Sequence, residues 1–380
     1  MLVKSILFCT PAPLEKSLGH AKVVVELAEE MRLLNWDCKL LCPWDIAEAN
    51  DPDPVKSFTA NLTSYLKAKA ADYDVVDYDH VFLPLARSEF NSGPLFVSRS
   101  VLLAHHLEVI SIPKRRGLKA KLGAVVRGGR RQIDQRRVIS QAQLTLEAAD
   151  LINVSNEDDQ RELVKRGFSK DKIVVIPFGI SRHRRLLFNR VPSTSPKRPV
   201  VAFVGTFDYR KGAREFPKIV QAITHQIPDV RFKLLGLKGM YQTEAEIRSC
   251  FPRNIQRSLE LVLTYKPEEL PQLLSSCSVG IFPSYMEGFG FGVLEMLAAS
   301  VPVIAYDAPG PPMMLSLASL VPRGDWHGMS EKVVNLLQNE EELMKARLQA
   351  KRRSQDFNWD EIAQTTSEQY LTRIAQGHGV

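Results

Sequence analysis

Apolar residues along this chain gather in two kinds of run that take turns. Short, nearly continuous stretches of Val, Ile, Leu and Phe read as buried strands, and longer stretches with a helical apolar period read as helices. Val3–Cys9 predicts a first strand and His20–Leu34 an amphipathic helix. Cys38–Cys42 predicts the next strand, Val55–Ala70 a helix and Asp74–Asp77 a short strand. Val101–Ala104 and Leu151–Val154 follow as strands, then a helix over Asn156–Arg166 and a strand over Lys172–Pro177. Such alternation is the mark of parallel sheets covered by helices.

The alternation breaks at Ser181–Pro199, where Arg, Ser and Pro cluster as they do in linkers. It restarts with a strand at Val200–Gly205, a loop, and a helix from Ala213. Further strands are predicted at Arg231–Gly236, Glu260–Leu263, Val279–Phe282 and Pro302–Ala305. The last segment, Asn358–Ala375, reads as an amphipathic helix carrying Trp359, Ile362, Tyr370 and Leu371. The fold class that follows is α/β, with two doubly wound, Rossmann-like domains that take ligands at the carboxyl ends of their strands. The expected boundaries are 1–180, a linker at 181–199, a second domain at 200–357, and a closing helical segment at 358–380.

Bulk properties sharpen this picture only slightly. At 380 residues the chain is too long for one ordinary core, and its 44% apolar and 24% charged content is that of a soluble globular protein. The apolar run at the start is cut off by Pro11 and Pro13, too short for a secretory signal, and no later run reaches transmembrane length. Five scattered cysteines lack metal-site spacing and read as buried thiols in a reducing cytoplasm. A cytoplasmic protein is expected, with neither metal nor cofactor.

The richest chemistry lies in FPSYMEGFGFGVLEMLAASVPVIA. The strand to Phe282 ends at Pro283 and Ser284, then Gly288, Gly290 and Gly292 lead into a helical run from Val293. A glycine-rich turn opening a helix offers backbone N–H groups at the positive end of the helix dipole, where a phosphate can sit. Glu287 stands at the mouth of that turn and Glu295 eight positions on, so both carboxylates can face one crevice. Carboxylates beside a phosphate site suit the paired hydroxyls of a sugar and a ribose.

The sequence Glu287-Gly288-Phe289-Gly290, with Glu295 after seven intervening residues and then Pro302-Val303-Ile304-Ala305, resembles the donor-site signature of retaining GT-B glycosyltransferases of the family-4 type. That resemblance implies two Rossmann-like domains facing a central cleft, with the acceptor side in the first and the sugar nucleotide in the second. It also implies that the last helix crosses back to the first domain. The loop Val204-Gly205-Thr206-Phe207-Asp208-Tyr209-Arg210-Lys211-Gly212 stands where the first strand of the sugar-nucleotide domain ends, and its two cations can neutralise a departing diphosphate. Thr206 occupies the place where many family members have Arg, and Arg210 is the candidate replacement.

In the first domain, Ser17-Leu18-Gly19-His20 resembles the family's paired-glycine loop with one glycine replaced, so only the backbone of Gly19 carries over. Val101–His106 resembles the strand whose terminal histidine lies near the reacting sugar; counting along it favours His106 over His105. The implied donor contacts are Gly19, Gly205, Thr206, Glu287, Gly288, Phe289, Gly290, Phe291 and Glu295, with His106, Glu287, Arg210 and Lys211 as the catalytic set. The turn Ala308–Met313 departs from the family's glycine-proline-glutamate pattern.

Two further features invite a function. Asp72-Tyr73-Asp74 and Asp77-Tyr78-Asp79 have the D-x-D form that holds a metal in GT-A enzymes, but they lie far in sequence from the donor loop and read as structural, with Asp79 and His80 at most acceptor-facing. The net charge of +7 is concentrated in Pro113–Arg137. There Lys114, Arg115, Arg116, Arg130 and Arg131 are interleaved with Leu and Val, which suits an anionic membrane surface, an acceptor phosphate or a solvated loop. No aromatic stacking platform accompanies the patch, so nucleic acid is a poor partner.

The expected function is transfer of a sugar from a nucleotide sugar to a glycan or lipid-linked acceptor, in polysaccharide or glycolipid synthesis. The alternatives are an inactive GT-B binding protein, a nucleotide-sugar epimerase or a phosphorylase of the same fold.

Overall fold

Two six-stranded, wholly parallel sheets organise the protein. The structure, a computed structural model, describes residues 3–15, 19–84, 86–90, 93–113, 134–192, 194, 196 and 198–377. The described chain divides into two units. The first runs to Val109, continues to Gly179 and takes in the C-terminal segment from Trp359; the second is mainly Ile180–Asn358. Lys114, Arg115, Arg116, Arg130 and Arg131, with Ser17 and Leu18, lie outside the described residues.

The first sheet contains β1 (Lys4–Cys9), β2 (Trp36–Leu41), β3 (Val75–Asp79), β4 (Leu95–Ser100), β5 (Leu151–Val154) and β6 (Ile173–Val175), in the order 2-1-3-4-5-6. Its strands are buried on both faces, so their apolar residues run nearly without interruption. Leu7, Val76, Phe96, Ile152 and Leu163 share one core cluster there.

The fourth strand corrects the sequence reading. Val101–Ala104 is a turn, and the strand is Leu95–Ser100, aligned with β3 as Val97 on Asp77 and Arg99 on Asp79. Its second half, Ser98-Arg99-Ser100, is polar yet fully buried, which hid it from a search for apolar runs. What makes the burial of Arg99 tolerable is a closed polar network. Arg99 Nη2 donates to Asp77 Oδ2 at 2.6 Å and to the Tyr370 hydroxyl at 2.9 Å, and that hydroxyl donates to Asp77. Tyr370 belongs to the last helix, Trp359–Ala375, which also receives Trp36 Nε1 on Ser367 Oγ and gives Trp359 Nε1 to Glu26.

The second sheet contains β7 (Val200–Val204), β8 (Arg231–Leu235), β9 (Leu259–Val262), β10 (Val279–Phe282), β11 (Val303–Tyr306) and β12 (Leu320–Val321). The spatial order is 12-11-10-7-8-9, the dinucleotide-binding order in which winding reverses between the first and fourth strands, here β7 and β10. Phe203 and Phe216 meet edge to face at 4.7 Å beneath it.

Residues 181–199, expected as linker, contain the helix Arg182–Asn189, whose Arg184 and Phe188 are buried within the second unit. Among the described residues, no helix is long and apolar enough to cross a membrane, and no group of three His, Cys, Asp or Glu is placed to hold a metal ion.

Candidate donor site at the switch point of the second sheet

The reversal between β7 and β10 leaves a crevice outside their carboxyl ends, and two loops line it. The loop after β7 is organised by Asp208, which accepts from Thr206 Oγ1 at 2.6 Å and from the backbone of Lys211 at 3.0 Å. Gly212 then turns with φ +84°, and a Cβ there would stand 2.4 Å from Pro283 O, so only glycine lets the loop lie against the end of β10. The backbone of Tyr285 donates to Arg210 O at 2.8 Å, joining the two loops.

Sequence therefore brings Arg210, Lys211 and Glu287 to one point. Lys211 Nζ lies 2.6 Å and Arg210 Nη1 3.1 Å from Glu287 Oε1, and Ser284 Oγ donates to the same oxygen. Arg210 Nη1 also donates to Met286 O at 2.9 Å. Burial opposes ionisation of Glu287, but Lys211 and Arg210 outweigh it and hold its carboxyl below the usual carboxylate range. Burial pulls Lys211 below the ordinary lysine value; Glu287 resists that shift and Arg210 adds to it. Arg210 and Lys211 are balanced here by Glu287 and by Asp208 of the same loop, and the cations' further N–H groups can donate to an anion.

Behind Glu287 stands the turn Ala308–Met313. Glu287 N donates to Pro309 O at 3.2 Å, and Gly310, at φ +102°, leaves 3.0 Å between its missing Cβ and that of Glu287. The departure from the family pattern thus falls on residues that back the carboxylate.

The glycine turn opens the helix Phe291–Ala298, with Gly290 left-handed at φ +96° as its N-cap. A Cβ on Gly292 would lie 2.3 Å from Val204 O, so the first helical turn presses onto the end of β7. Phe289 packs edge to face on Phe291 and on Phe357. Glu295, deeper on the helix, meets a different partner: Arg184 Nη2 donates to its Oε1 at 2.7 Å.

The other expected residues fall elsewhere. Gly205 follows β7 with its N–H on Leu235 O, and Thr206 is occupied with Asp208. Gly19 begins the first unit's helix Gly19–Leu33, where an added Cβ meets nothing within 4 Å. His106 belongs not to a strand but to the short helix His106–Val109. Its Nε2 is 2.8 Å from Asp159 Oδ1, a carboxyl that burial raises against the pull of His106. His105 faces Gln143 at 3.1 Å, and burial, helped by Arg166, lowers it to about 4. Of the D-x-D aspartates, Asp74 holds Lys4 at 2.7 Å and Asp77 holds Arg99.

Sequence reasoning passed over Ser284, Arg184 and Asp159. The Ser-x-x-Glu spacing of Ser284 and Glu287 was a usable signal; Arg184 had none, being one cation in a polar stretch.

Comparisons with known proteins bear on the fold. The solved structure of sucrose-phosphate synthase from Thermosynechococcus elongatus superposes with a TM-score of 0.71 at 20% identity, covering 98% of this chain and all of that one. Anabaena HepE in complex with UDP superposes at 0.68 and 14% identity, covering 97% and 100%. The two Rossmann-like domains are those of the GT-B fold. A D-inositol 3-phosphate glycosyltransferase of Nocardia farcinica is 25% identical over 270 residues, which span 66% of this chain and 57% of the relative's own length. Residues 188–353, the segment that holds Arg210, Lys211, Glu287 and Glu295, match the family described as glycosyl transferases group 1.

Proposed function

We propose that this protein is a GT-B glycosyltransferase of the family-4 type that moves a sugar from a nucleoside diphosphate to an acceptor hydroxyl, with retention of configuration. The observation that carries the reading is the meeting of Arg210, Lys211 and Glu287 at the switch point between β7 and β10. A Rossmann-like sheet receives its nucleotide there, and two adjacent cations there suit a diphosphate that grows more negative as its bond to the sugar breaks. The UDP in the complex of HepE, a fold neighbour, supports a uridine nucleotide as the first donor to try.

In this reading Arg210, Lys211 and the helix end at Gly290 stabilise the departing diphosphate. Glu287 accepts from sugar hydroxyls, and Glu295 accepts from the ribose. His106, held by Asp159, is proposed as a catalytic residue from the family resemblance alone. Retention is proposed from the spacing of Glu287 and Glu295 and its family resemblance. The acceptor is a glycan or lipid-linked hydroxyl.

A thermal-shift panel of UDP-, GDP- and ADP-sugars tests the assignment. One class should raise the unfolding midpoint, since a ligand at a hundred times its Kd adds about 2.7 kcal/mol. Lys211→Ala should weaken that binding about tenfold to a hundredfold, the effect of losing ~1.5–3 kcal/mol of charged hydrogen bonding. No shift with any sugar nucleotide, or an unaltered affinity in Lys211→Ala, overturns the reading.

A further inference from the structure

Arg184 and Glu295 form another buried ion pair among the described residues of this unit, and the site as described makes no use of Arg184. The two side chains are only 5% and 9% exposed. Glu295 sits on a helix whose neighbouring Val293, Leu294, Met296 and Leu297 are all buried, an apolar setting that penalises an uncompensated carboxylate. Tyr265 lies close enough to feel both charges: burial raises its hydroxyl, Glu295 adds to the rise and Arg184 opposes it. Arg184 is itself steadied by the Phe188 ring, 5.7 Å from its guanidinium.

A second contact fixes the pair's geometry. Lys351 Nζ donates to Phe188 O at 3.0 Å and to Ala298 O at 2.8 Å. These are carbonyls at the C-terminal ends of the helices Arg182–Asn189 and Phe291–Ala298, where a cation is favoured. One ammonium therefore ties the helix that bears Arg184 to the helix that bears Glu295. The two helices are clamped at their ends, and the ion pair spans them further back.

We propose that Arg184 is a positioning residue for nucleotide recognition, holding Glu295 ionised and aimed for the two hydroxyls of the ribose. The proposal rests on the assignment of Glu295 to the ribose. An ionised carboxylate offers only acceptors, which match the two hydroxyl donors of a diol. A protonated acid would offer a donor in place of one of these acceptors and match the diol poorly. The helix Arg182–Asn189, which the sequence presented as linker, thereby becomes a wall of the nucleotide site.

The experiment is calorimetric titration of the full chain with UDP, GDP and ADP, each beside its 2′,3′-dideoxy counterpart. The parent should prefer the ribose form of one nucleotide by about tenfold or more, the effect of ~1.4 kcal/mol. Arg184→Met should weaken that ribose form about tenfold while changing the dideoxy form less than about threefold, so that the preference nearly vanishes. Arg184→Lys, a point charge without the planar fork, should restore part of the preference. Should Arg184→Met fail to fold, the preference of Arg184→Lys decides, and a value equal to the parent's overturns the inference. An Arg184→Met that keeps the parent's preference, or loses both forms equally, shows a merely structural arginine. A parent that binds no diphosphate overturns the proposed function together with this inference; a parent that binds without ribose preference overturns the inference alone.

Discussion

Three donors converge on one oxygen of Glu287, from Arg210, Lys211 and Ser284. Such a carboxylate is ionised and held still, and its role should show in turnover rather than in nucleotide affinity. Glu287→Gln is expected to lower the transfer rate while leaving nucleoside diphosphate binding within a few-fold, whereas Glu295→Gln weakens the nucleotide itself; steady-state kinetics beside calorimetry separates the two. Reversed phenotypes would overturn the placement of sugar and ribose. Lys211 adds a pH signature. Its folded value lies below the ordinary 10.5, so its charge is lost earlier than usual as pH rises. Diphosphate affinity should therefore fall on the alkaline side before pH 10.5 is reached, and Lys211→Ala should be flat across that limb. Glu287 works in the opposite sense. Its lowered value leaves the ion pairs intact above the usual 4.5, and their stabilisation is lost only as pH falls through the lower folded value.

At the scale of elements, the site depends on close approach. The helix Phe291–Ala298 begins against the last carbonyl of β7 because Gly292 has no Cβ, and the loop after β7 lies on Pro283 because Gly212 has none. Gly292→Ala must push the helix away from β7. The expected cost is about 1–3 kcal/mol of stability, read by denaturant titration, with a parallel loss of diphosphate affinity. Full stability together with full affinity in this variant would mean that the helix start has no part in the site. Polar burial is handled by closure. Asp77, Arg99 and Tyr370 satisfy one another inside the first unit, which is how the charge of Arg99 can lie in the middle of a sheet.

For the whole molecule, the proposed transfer turns on which charges would face the donor phosphates. In the second unit the cations come from the chain itself, at Arg210 and Lys211. In the first, Asp74 and Asp77 are spoken for by Lys4 and Arg99. Transfer should accordingly survive an excess of EDTA, assayed as sugar incorporation into acceptor. Loss of activity that manganese or magnesium restores would return attention to Asp72–Asp79 and overturn the proposal of a metal-independent enzyme.

What the residues alone determined was local. Val279–Phe282 is a strand end to end, because a continuous apolar run bounded by Pro283 has no other way to be buried. The alternation of strands and helices announced two parallel sheets, and the glycines after Glu287 announced a turn into a helix. Tertiary structure decided the rest, because it depends on partners distant in the chain. Leu95–Ser100 can be a strand since Asp77 neutralises Arg99 and Tyr370 accepts a hydrogen bond from it, and neither is near it in sequence. His106 turned out to sit in a short helix facing Asp159, a partner that counting along a strand could not supply. Arg184 meets Glu295 across 111 positions, through a helix in a stretch whose composition spoke for a linker. Periodicity records which face of an element is buried; only packing records what that face is buried against.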